Sequence, residues 1–87
     1  MDVTQRAEAS CTLVREAFDS LPSELRPAIE VRTNRVLDAA DNALAENDPI
    51  AAVTELGILV GELSTSQIPL FQEVFVQVAS RLRAMPR

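Results

Sequence analysis

Cys11 is the only thiol in the chain, and the sequence offers neither His nor Lys to act as its base. A nucleophilic Cys, Ser or Thr needs such a base, or a depressed pKa, to attack a carbonyl. The strained G-x-S-x-G turn that presents a hydrolase serine is missing as well. A lone Cys inside an apolar helical pattern is expected to be a small buried hydrophobe, and it has no second Cys to bridge to. Thirteen Asp and Glu residues could form an acid–base pair of the glycosidase kind. That many acids on a short chain make such pairs by number alone, and with no Trp or Tyr there is no platform for a sugar ring. Metal chemistry fares the same way. The E-x-x-H signature of di-iron bundles needs a His, and the spaced Asp, Gly and Glu of a calcium loop do not occur. The expectation is therefore a protein that is not an enzyme and that uses no cofactor and no metal.

Charge narrows the partners. The net charge is −5, which opposes the phosphate contacts on which general nucleic-acid affinity rests. All eight cations are Arg, and positions 36–80 contain none. A helix-turn-helix reading would start its recognition helix near Ser66 or Gln67, but the first Arg beyond is Arg81. No phosphate-contacting cation would then precede the groove-facing residues. Arg26, Arg32 and Arg35 could form an anion patch, but solvated pairs with Glu30 or Asp38 are the expected arrangement. The acids are more suggestive. Asp38, Asp41 and Asp48 cluster around the second predicted helix and its exit, and Glu55 and Glu62 lie seven apart on the third. Together they could make an acidic flank that docks on a basic protein site, or merely a solvated face that keeps the protein soluble.

These groups must be positioned by helices. Val3, Ala7, Cys11, Val14, Phe18 and Leu21 recur at steps of three and four, the helical period, and predict a first helix over about 4–21, capped by Asp2 or Thr4. Pro22 and Pro27 mark a corner. A second helix is predicted over 24–46, with Leu25, Ile29, Val36, Ala40 and Leu44 on its stripe. Asn47-Asp48-Pro49 is the sharpest punctuation, Asp48 being a natural cap and Pro49 a natural first residue. A third helix over 49–63 follows, antiparallel to the second across a short connection. Gly57 and Gly61 each cost about 1 kcal/mol relative to Ala in a helix interior. A close approach by another helix, or by Phe71 or Phe75, would explain them; the alternative is that Gly61 only marks a fraying end. The fourth helix, over 67–84, carries Ile68, Phe71, Phe75, Val78, Leu82 and Met85 as a heptad-like seam, with Leu70, Val74 and Val76 beside it. Arg81, Arg83 and Arg87 crowd the C-terminal end, and Arg81 and Arg83 suit the negative end of the helix dipole.

Eighty-seven residues, 47% of them hydrophobic, make one domain with a thin core and more apolar material than a small domain easily hides. The fold class expected is all-α: a four-helix up-and-down bundle, or two helical hairpins that complete a bundle by dimerising. The function expected is a non-catalytic protein–protein interaction module, an adaptor, assembly factor or regulatory subunit. Its contact surface is placed at Leu70, Phe71, Val74, Phe75 and Leu82. The alternative is a small acidic inhibitor or antitoxin-like protein acting through the Asp38–Glu62 flank. The partner is another protein or a second copy of the chain, with no nucleic acid and no membrane. No apolar run follows the N-terminus and none approaches the ~20 residues of a membrane span, so a cytoplasmic protein is expected.

Overall fold

The computed structural model describes residues 2–86, and it is helical nearly throughout. Helix α1 spans Val3–Ser20, α2 Glu30–Ala45, α3 Pro49–Ser64 and α4 Pro69–Ala84, with one turn of 3-10 helix at Arg26–Ala28. No strand occurs among the described residues. Arg87, the last of the C-terminal cations, lies outside them.

The caps explain the boundaries. Asp2 accepts from the Gln5 amide at 2.8 Å while the Gln5 side chain accepts from the Asp2 amide at 3.1 Å, a reciprocal capping box. Asn47 adopts the left-handed region at φ 63°. Its amide donates to Leu44 and the Asp48 amide to Ala43, at 3.0 and 2.8 Å. That is the Schellman pattern, in which a left-handed residue ends a helix by satisfying its last carbonyls. Asp48 then caps α3 through the Ala51 amide at 3.2 Å, with Pro49 as first residue. One junction thus stops α2 and starts α3.

The second helix begins later than the 24 expected. Pro27 lies in the 3-10 turn, and Ile29 at φ −125° breaks the path before α2 starts at Glu30. A proline ring clashes with the carbonyl four residues before it, so a continuous helix through Pro27 is unfavourable. Leu25 and Ile29 mimic a helical stripe because both turn inward from the corner, Ile29 being buried.

The four helices complete a core within a single chain. They depart from a square bundle. Helix α3 takes the centre and packs extensively on α1, α2 and α4, whereas α1 touches α2 and α4 only lightly and α2 and α4 scarcely meet. In effect α2, α3 and α4 form one layer and α1 lies across it over α3. The extents, 35 × 25 × 17 Å, suit two helix layers in the thin direction, each helix being about 10 Å across. Phe71 and Phe75 are fully buried at the heart of the core with Leu56, Leu59, Leu63 and Val14.

Candidate functional site

The chemistry-bearing residues come first. Cys11 is buried on α1. Burial pushes its thiol above the ordinary value of 9.0, Asp41 and Glu8 add to that, and Arg15 opposes it. A thiol held neutral and out of contact with solvent is a packing residue, not a nucleophile. Among the described residues no group of three His, Cys, Asp or Glu side chains is placed to hold a metal ion.

The acidic flank does not assemble as one surface. Asp41 pairs with Arg15 of α1 at 2.7 Å, and Glu62 pairs with Arg32 of α2 at 3.1 Å. Arg32 and Asp41 are nine residues apart, half a turn round α2 at about 100° per residue. The flank is therefore split between opposite sides of that helix and interleaved with cations. Asp48 is occupied as a cap. Asp38 and Glu55 are exposed and make no ion pair among the described residues. The arginine patch dissolves in the same way. Arg32 is bound to Glu62, in place of the Glu30 or Asp38 expected for this cluster, and Arg26 donates to the Leu21 carbonyl at 3.2 Å, tying down the corner.

The helix-four surface is corrected by the same burial. Phe71 and Phe75, expected at a partner contact, are 2% and 0% exposed. The seam at 71, 75 and 78 is the stripe that faces α3 and α1, so these rings are spent on the core. Leu70, Val74 and Leu82 are half-buried against its edge. Of the five, Val74 lines a hollow.

That hollow belongs to a groove between α1 and α4. Its wider part, about 560 Å³, is bounded by Ala9, Thr12, Leu13 and Glu16 of α1 and by Arg81, Ala84 and Met85 of α4. A narrower part of about 230 Å³ continues past Ala17, Val74 and Val78. The two share Leu13, Glu16 and Arg81. The floor is apolar. One wall carries an acid, Glu16, and the other a cation, Arg81. The groove exists because α1 leans on α3 and meets α4 only lightly. The link from Arg6 to the Leu82 carbonyl, 3.4 Å long, spans the two helices at one end. From Val74 to Met85 the trough runs ~17 Å, about three helical turns. Sequence reasoning found Val74 but missed the α1 wall. Leu13 and Ala9 lie beside the α1 stripe and look like ordinary flanking residues until α4 is placed opposite.

Compared with known protein families, curated proteins and solved structures, the chain matches none. No described helix is long and apolar enough to cross a membrane.

Proposed function

We propose that the chain is a non-catalytic protein–protein interaction module, an adaptor, assembly factor or regulatory subunit, whose α1–α4 groove receives an amphipathic helix of another protein. The groove carries this reading. It is apolar along its floor, open to solvent and about three turns long. A helix laid in such a trough anchors residues at i, i+3 or i+4, and i+7. Leu13 and Val74 form the walls the anchors would touch. Glu16 and Arg81 set the direction, favouring a partner with cations along its α1 edge and acids along its α4 edge. The buried, protonated Cys11 and the interleaved carboxylates lend no support to a reacting centre, and the split acids lend none to an inhibitor that docks through one negative face.

The test uses residues that line the groove without entering the core. Thr12 and Ala84 are both exposed, so Thr12→Arg and Ala84→Arg fill the trough and leave the fold intact. A protein that co-purifies with the wild-type chain should be lost with either variant at an unchanged melting midpoint, and retained with Asp38→Lys. Retention by both groove variants, with loss in Asp38→Lys, would replace the groove with the acidic side.

A further inference from the structure

Gly57 and Gly61 have no packing partner among the described residues: a Cβ added to either meets none of their atoms within 4 Å. Neither Phe71 nor Phe75 nor another helix of the described residues packs on them. Both glycines lie on the face of α3 turned away from the core, and the cost of an interior glycine is offset by no contact among the described residues. The rest of that face is as unusual. Ile50 and Ile58 are 68% and 56% exposed, and Thr54 and Thr65 complete a strip with no charge on it. Val76 of α4, 45% exposed, is half a turn round from the α1 groove and borders the same open side. This is the side of the three-helix layer that α1 leaves bare.

We propose that this open face of α3 is a homodimer interface, with the α3 helices of two copies packed antiparallel about a two-fold axis between Gly57 and Ile58. The occupant follows from the strip's own pattern. Reversal about that point sets Ile58 over Gly57 of the second copy, Thr54 over Gly61 and Ile50 beside Thr65. Each pairing matches a larger side chain with a smaller one, and glycine lets the facing backbone approach closely. An isologous contact requires such self-complementarity.

Charge agrees with the register. Arg32 stands level with Glu62 in the α2–α3 hairpin, at 3.1 Å, which puts Arg35 level with Leu59. Reversal carries the second copy's Arg35 to the level of Leu56, beside Glu55. Both residues are exposed and make no ion pair among the described residues. The second copy's Arg32–Glu62 pair falls close by and is already neutral. An antiparallel two-fold lays the second copy's α2 over the first copy's, so both of these contacts fall on the α2 edge of the uncharged strip and give its apolar centre a charged rim on that side. With the layer seen face-on at up to 35 × 25 Å, there is room for the ~800 Å² per partner of an ordinary interface. The face lies on the opposite side of the layer from α1 and its groove, so this dimer and the proposed helix docking stand or fall separately.

The test is the mass in solution by light scattering after size exclusion, from about 1 μM to 1 mM, limits that bracket ordinary weak association. Refractive-index detection is needed, since the chain has no Trp or Tyr. The wild-type mass should rise to that of a dimer. Ile58→Glu, at an exposed position, should remain monomeric throughout with its dilute melting midpoint unchanged. Arg35→Glu should weaken association about tenfold, the order of a broken interfacial charge contact, and the exchange pair Arg35→Glu with Glu55→Arg should restore it. A wild-type monomer at ~1 mM overturns the proposal. So does a dimer that survives Ile58→Glu, or one that dissolves only in the groove-filling Thr12→Arg, because self-association would then use another face.

Discussion

At the scale of single residues, Cys11 and Thr33 are the informative side chains. Between the carboxylates and Arg, Cys11 is the only side chain that titrates, because the chain has no His, Lys or Tyr. Its thiol is held above the ordinary 9.0, first by burial. The folded state thus keeps its proton more tightly than the unfolded chain. Stability should be flat in pH below about 9 on this account and fall as pH rises beyond it, where only the unfolded thiol ionises freely. Thermal melts between about pH 7 and 10.5 should show that decline in the wild type and its absence in Cys11→Ala. The native thiol should also resist alkylation until the chain unfolds. Thr33 has a buried hydroxyl with no hydrogen-bond partner among the described residues. An orphaned buried polar group costs about 1–3 kcal/mol, so Thr33→Val should raise stability by around 1 kcal/mol in chemical denaturation. A loss would mean that the hydroxyl finds a carbonyl in solution.

At the scale of elements, the α2–α3 junction is the part most directly readable from sequence. Asn47, Asp48 and Pro49 each have a local physical role there: left-handed stop, cap and first residue. Asp48→Ala should therefore cost about 0.5–2 kcal/mol, read as a lower melting midpoint. The corner before α2 was misread because Leu25 and Ile29 keep helical spacing while Pro27 breaks the path, and burial from a turn imitates burial from a helix face. Val74 was legible as part of a surface, whereas Phe71 and Phe75 were not legible as core. A heptad seam looks the same whether it meets its own bundle or a partner, and only the placement of α3 decides. The glycines separate the two layers of the account. Gly57→Ala should stabilise the dilute chain by about 0.8–1 kcal/mol, since a methyl there meets open space, and at high concentration it should weaken self-association.

At the scale of the whole molecule, the distinctive feature is an off-centre arrangement with α3 in the middle. It leaves two surfaces that a square bundle would close or charge: the α1–α4 groove and the bare side of α3. A domain of this size has a total stability of ~4–13 kcal/mol. Phe75→Ala, which empties a fully buried site, should cost about 3–5 kcal/mol and leave the domain close to unfolding. The same substitution at a docking surface would leave the fold intact, so a denaturant midpoint separates the core role from the contact role first expected of Phe75.

The central claim is that the groove is where a partner helix binds. Its most direct test is a photo-cross-linking residue placed at Thr12 in the groove wall and, separately, at Asp38 on the acidic side, with the protein irradiated in its own cells. The account predicts a discrete adduct to another protein from Thr12, suppressed by Ala84→Arg in the same chain, and none from Asp38. An adduct from Asp38 with none from Thr12 would contradict it.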